Sequence, residues 1–135
     1  MDMVLDTSSS ADAPQTPVGV WRGVVRHDGQ TDDYTISFAQ DGTIALRTSA
    51  TVGTGTWVAG QAGRFTYALT ETFTEASGHA GRIQAEVESR IEGAAISGAG
   101  TARIYSADGA LVHTTRAEIT GERVGARPAA WHEVG

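Results

Sequence analysis

The chain predicts one all-β domain, an eight-stranded antiparallel up-and-down β-barrel, and three observations carry that expectation. Short runs rich in valine, isoleucine, threonine and aromatics follow one another from Val18 onward; Asp28-Gly29, Asp41-Gly42, Glu92-Gly93 and Asp108-Gly109 separate them; and no linking segment has helical periodicity. Asp-Gly between alternating runs signals a hairpin, because glycine supplies the positive φ that a tight turn demands. Without crossover helices, consecutive strands pair antiparallel. Eight strands in a meander abolish their edges by closing, and a barrel of that size holds packed side chains or one small ligand. A two-sheet sandwich is the structural alternative.

The elements follow in order. Residues 1–17 hold Ser8, Ser9, Ser10, Pro14 and Pro17 with little that is apolar beyond Met3, Val4 and Leu5, which predicts a flexible N-terminal arm. The barrel domain spans 18–124 and a tail runs over 125–135, with strands predicted at 18–27, 31–39, 43–50, 54–59, 64–74, 82–92, 95–106 and 110–122. Side chains alternate across a strand. On the first strand Trp21 points inward, while Val18, Val20 and Val24 form an outer apolar strip that calls for a cover, either the tail through Trp131 or a second copy in a homodimer. The second strand sends Tyr34, Ile36 and Phe38 inward. Trp57, after the Gly53-Thr54-Gly55-Thr56 run of the fourth, either lines the interior or packs into the core. The fifth strand sets Phe65, Tyr67, Leu69, Glu71 and Phe73 against threonines and Ala68, and the sixth sets Ile83, Ala85, Val87, Ser89 and Ile91 against Gln84, Glu86, Glu88, Arg90 and Glu92. The eighth sends Leu111, His113, Thr115, Ala117 and Ile119 inward.

Composition narrows the function classes. With 135 residues the chain buries one core unaided. It has no cysteine, so disulfide and thiolate chemistry is unavailable. A net charge of −6 with arginines scattered singly gives no basic stripe for nucleic acid. Met1 to Thr16 lacks the basic region and apolar run of a secretory signal, and no stretch is long enough to span a bilayer, so a cytoplasmic protein without membrane attachment is expected. Lysine and asparagine, whose codons are A-rich, are both absent, which points to a bacterium with a high-GC genome.

The first strand carries Gly19-Val20-Trp21 and the last ends in Gly121-Glu122-Arg123. Gly-x-Trp on strand one with an arginine closing the final strand resembles the calycin superfamily of lipocalins, fatty-acid-binding proteins and avidin-like barrels. The resemblance implies that Trp21 plugs the closed end and that Arg123 packs across it. Trp21-Arg22-Gly23 also resembles the start of nitrobindin-type haem barrels, which would make His113 the proximal ligand. Lipocalin-like barrels include cyclases of bacterial natural-product pathways, so the resemblance extends to a cofactor-free cyclase or isomerase acting on a polyketide-like substrate.

In a meander each inward residue can be assigned to an end. Taking the end where the chain enters as the bottom, Trp21, Phe38, Ile44, Phe65, Ile91 and Ile119 lie low, and His27, Tyr34, Thr48, Glu71 and His113 lie high. An apolar floor with a polar mouth follows, because a buried carboxylate or imidazole is costly unless paired or wetted. The glycine-rich loop from Glu75 to Gly81 sits at the same end, so a ligand enters there. Glu71, His113 and Tyr34 are the candidate acid/base groups; Trp57, Phe73, Tyr67, Ile83, Leu111, Leu69 and Thr48 are the candidate ligand contacts. Each has a plainer role as packing, or as a paired rim residue. No serine sits in a nucleophile elbow and the four histidines are dispersed, so neither a metal nor another cofactor is expected. The chain is expected to enclose a small, largely apolar molecule, either to promote its cyclisation or isomerisation or simply to carry or sequester it; haem binding is the third reading.

Overall fold

The computed structural model describes residues 16–74 and 78–127. Eight strands follow one another: β1 (Gly19–His27), β2 (Gln30–Phe38), β3 (Thr43–Thr48), β4 (Val52–Ala59), β5 (Arg64–Thr74), β6 (Ala80–Glu92), β7 (Ala95–Tyr105) and β8 (Leu111–Gly125). Each pairs antiparallel with the next, and β8 returns to β1 to close the barrel. The expected fold is the observed one. Asp28 and Gly29, with φ of 51° and 75°, form the two-residue hairpin turn between β1 and β2, in the conformation that Asp-Gly favours.

Several strand ends differ from expectation: the fourth and sixth strands each begin two residues earlier, at Val52 and Ala80, and the ends of the third and eighth have a visible cause. The third strand stops at Thr48 because its hydroxyl accepts hydrogen bonds from the Ala50 and Thr51 amides, turning the chain early. The eighth continues to Gly125, where it pairs with Val20. Strand ends that lack an Asp-Gly signal depend on such tertiary pairing, which periodicity does not register.

The bottom of the barrel is solid. Trp21 is fully buried, and its indole N–H donates to the Pro17 carbonyl at 2.7 Å. The Arg123 guanidinium lies 4.3 Å from the centre of that indole and donates to the Val18 carbonyl and, at 2.9 Å, to the Thr16 carbonyl. One arginine on the last strand thus ties down the residues leading into the first. Above this plug Phe38 stands edge-on to Phe65 and to Tyr67, both with centroids 5.4 Å away, and to Trp57 at 6.4 Å. Ile44, Ile91 and Ile96 complete the packed floor. The entering and leaving segments lie side by side at this end, as an even number of strands requires. Val18, Val20 and Val24 are half-buried on the face opposite Trp21; Trp131, proposed to cover them, lies outside the described residues.

Closing a sheet this small brings neighbouring strands into tight contact. A Cβ on Gly23 would sit 1.9 Å from the Thr120 carbonyl oxygen, and one on Gly100 would sit 2.1 Å from that of Glu86. Glycine is required at these two positions because the neighbouring strand's backbone occupies the space a side chain would fill.

Candidate functional site

The upper half of the barrel is hollow. A cavity of about 420 Å³ opens toward the end bearing the β1–β2 and β3–β4 turns, within the ~300–1,000 Å³ common for small-molecule sites. It exists because β6, β7 and β8 present Ala85, Gly100, Ala102 and Ala117 to the interior, side chains too small to meet in the middle. The floor is filled because the corresponding lower positions carry aromatics and isoleucines. Val25, Ile36, Leu46, Val87 and Ile104 make the wall largely apolar.

Of the residues expected at the site, Tyr34, Thr48, Tyr67, Leu69, Glu71, Phe73 and Ile83 line this cavity. Phe73 lies against Gly81, where an added Cβ would come within 2.4 Å of the ring. Three expected residues do not line the cavity. Leu111 is 53 % exposed, and His113 is exposed with Nε2 3.1 Å from an Asp28 carboxylate oxygen. For Leu111 the register shifts between Ile104 and Tyr105 and pairs it with outward Tyr105, so plain alternation gives it the wrong face. His113 has inward parity, but the wall ends below it: β8 descends, and Thr115 is the first of its residues to border the cavity. Trp57 fails for the opposite reason. β4 descends, so Trp57 lies low, edge-on to Phe38, with its indole N–H donated to the Ala39 carbonyl at 2.7 Å. Tyr34 is buried in the wall as expected, yet its hydroxyl donates to the Thr120 carbonyl at 3.1 Å. Burial, reinforced by neighbouring Tyr67, pushes the Tyr34 pKa up, so its proton is fixed in the wall rather than offered to a ligand.

Glu71 is the central polar group. Its Oε1 accepts from the Thr51 hydroxyl at 2.8 Å, and the Thr51 and Thr48 hydroxyls are 2.7 Å apart. Since the Thr51 proton goes to Glu71, the Thr48 hydroxyl must donate to Thr51, while Thr48 oxygen accepts from the Ala50 and Thr51 amides. The relay thus points its donors at the carboxylate and fixes it in place. Burial raises the Glu71 pKa; the Thr51 hydrogen bond and the charge of His27 oppose that shift.

The mouth holds two lining residues that alternation alone does not single out, Asp32 and Thr51, and gives the expected high residue His27 its partners. His27 contacts carboxylates through both ring nitrogens, Nδ1 to Asp28 at 3.0 Å and Nε2 to Asp32 at 2.7 Å. Two carboxylate partners require two N–H donors, so the ring is an imidazolium; the Asp28 bond, then the Asp32 bond, raise its pKa. Asp28 in turn is held down at about 2 by His27, the Thr115 hydroxyl and His113. His27, Asp32, Thr51 and Thr115 all border the cavity. The signal for Asp32 was present: once Asp28-Gly29 sets the hairpin register, Asp32 has the same parity as Tyr34 and pairs with inward Val25.

These positions also bear on metals and haem. Among the described residues no group of three or more histidine, aspartate or glutamate side chains is placed to hold a metal ion. The residues do not fit a haem held through His113, whose Nε2 is turned to Asp28 outside the cavity. Likewise, no helix among the described residues is long and apolar enough to cross a membrane. No family model matches the chain, nor does any curated protein or solved structure. The closed meander and the Trp21–Arg123 plug are consistent with the calycin fold, and they stand on geometry alone.

Proposed function

We propose that the protein binds a small, largely apolar molecule in the upper half of the barrel and carries or sequesters it without chemistry. One observation supports this above the others: a largely apolar cavity of about 420 Å³, open at one end, stands over a floor of buried, mutually packed aromatics and isoleucines. Burying apolar ligand surface there contributes on the order of 25 cal/mol per Å² before the costs of association. The neutral dye N-phenyl-1-naphthylamine tests the reading, since its emission rises in apolar surroundings. Saturable binding at one dye per chain is expected, and Ala85→Phe should abolish it by filling the cavity. Dye binding that survives this substitution in a folded barrel would remove the cavity from the account.

A second reading, in which the cavity folds a flexible substrate and promotes its cyclisation or isomerisation, is favoured by the half-buried carboxylate of Glu71 within electrostatic reach of protonated His27. Orientation in a closed space lowers a unimolecular barrier, and Glu71 would move or hold a proton. Native mass spectrometry of protein from its own host separates the two. A ligand retained and released unchanged supports carriage; substrate converted to an isomer, with Glu71→Gln lowering turnover more than affinity, supports catalysis.

A further inference from the structure

We propose that the molecule bound in the cavity is an apolar amine, whose protonated nitrogen is held at the mouth by the free oxygen of the Glu71 carboxylate. This rests on the enclosure reading and specifies the ligand's polar end.

The polar groups around the cavity are unequal in what they still offer. Tyr34 has given its proton to the Thr120 carbonyl. Thr51 has given its own to Glu71, and Thr48 its own to Thr51. Both His27 nitrogens are occupied by Asp28 and Asp32. The two lining carboxylates each keep one oxygen that no hydrogen bond among the described residues engages: Asp32 Oδ1, on a side chain 52 % exposed to solvent at the rim, and Glu71 Oε2, on a half-buried side chain whose Oε1 is held by Thr51. The cavity therefore has a fixed, available acceptor.

Charge points the same way. The described residues lining the cavity include Glu71, Asp32 and His27 and no arginine, and the chain contains no lysine. At the rim Asp28 adds another carboxylate, whose contacts are His27, His113 and Thr115. Arg47, on the neighbouring β3, is on the exposed face of its strand. Three carboxylates, Glu71, Asp32 and Asp28, thus stand at the mouth with the imidazoles of His27 and His113. Of these two rings His27 borders the cavity, while His113 faces Asp28 outside it. A ligand carboxylate entering the cavity would meet two lining carboxylates and one histidine whose ring nitrogens are both engaged, whereas an ammonium would meet attraction and a carboxylate oxygen already held in position. The upward push of burial on the Glu71 pKa is in keeping with this: desolvation outweighs the Thr51 hydrogen bond and the charge of His27, and an ammonium at Oε2 would offset it further.

Three ligands of equal chain length test this by displacement of N-phenyl-1-naphthylamine at neutral pH: decylamine, 1-decanol and decanoate. Decylamine, protonated at that pH, is expected to displace the dye at concentrations about tenfold lower than 1-decanol, with decanoate weakest. In Glu71→Gln the amine and alcohol should converge to within about threefold, because an amide keeps the shape and loses the charge. Decanoate binding as well as decylamine, or an amine preference that survives Glu71→Gln, would overturn the proposal. The wild-type order decides the matter alone if that variant does not fold. Failure of all three ligands and of the dye would instead refute enclosure itself, so the two failures are distinguishable.

Discussion

The two ends of this barrel are made by the same eight strands and do opposite things. At the bottom Trp21, Phe38 and Phe65 are almost completely buried, and Arg123 clamps the entering chain across the plug. At the top Ala85, Gly100, Ala102 and Ala117 leave a space, and acidic groups crowd its rim. The contrast shows how a small closed sheet divides labour: its stability is concentrated where large side chains meet, and its selectivity where small ones fail to. Strand direction makes the division possible, since each strand contributes one end to each function.

Truncating the plug should produce the largest effect. Trp21→Ala is expected to cost about 3–5 kcal/mol in denaturant unfolding, as other large core truncations do. A loss below about 1 kcal/mol would mean that the floor is less consolidated than its packing implies.

The wall between the two ends should respond more modestly. Tyr34→Phe removes the donor to the Thr120 carbonyl and is expected to cost about 1 kcal/mol. If instead it abolished ligand affinity or turnover with stability intact, the Tyr34 hydroxyl would belong to the mouth and not to the wall.

Smaller still should be the pH response of the rim. His27 has a folded pKa above 6.5, so its contribution is complete below pH 6.5 and is lost as pH rises through the folded value. Unfolding free energy measured between about pH 6 and pH 9 should therefore decline in wild type and decline less in His27→Gln. Identical slopes would show that the Asp28–His27–Asp32 arrangement does not hold in solution.

The least effect is expected beyond the rim. Leu111→Ser, at a residue 53 % exposed, should change stability by less than about 0.5 kcal/mol and leave dye binding as it was. A large loss of binding would restore Leu111 to the cavity wall.

Much of this division was legible in the residues. The Asp-Gly turns set the order and direction of the strands, and alternation placed Phe65, Tyr67, Leu69 and Glu71 inside on β5. The Trp21–Arg123 contact followed from the resemblance of the strand ends. What alternation lacks is height. It assigns a face but not the level at which a wall stops, so it sets His113 inside a barrel that ends below it and Trp57 beside a cavity that lies above it. Nor does it register the irregularity at Ile104/Tyr105, which turns Leu111 to the other face. Nor does parity reveal what a hydroxyl is bonded to, which decides that Tyr34 braces the wall while Thr51 orients Glu71. His27 was assigned to the right end and face, but its role depends on Asp32, brought beside it only by the hairpin register.

The claim that ligand occupies the upper half above an unyielding floor is tested most directly by methyl-resolved NMR during titration with N-phenyl-1-naphthylamine. Leu69, Ile83 and Ile104, which line the cavity, should shift saturably with one dye per chain, while Ile44, Ile91 and Ile96 of the floor stay in place. Shifts confined to the exposed Val58 and Val124, or spread equally through the floor isoleucines, would contradict it.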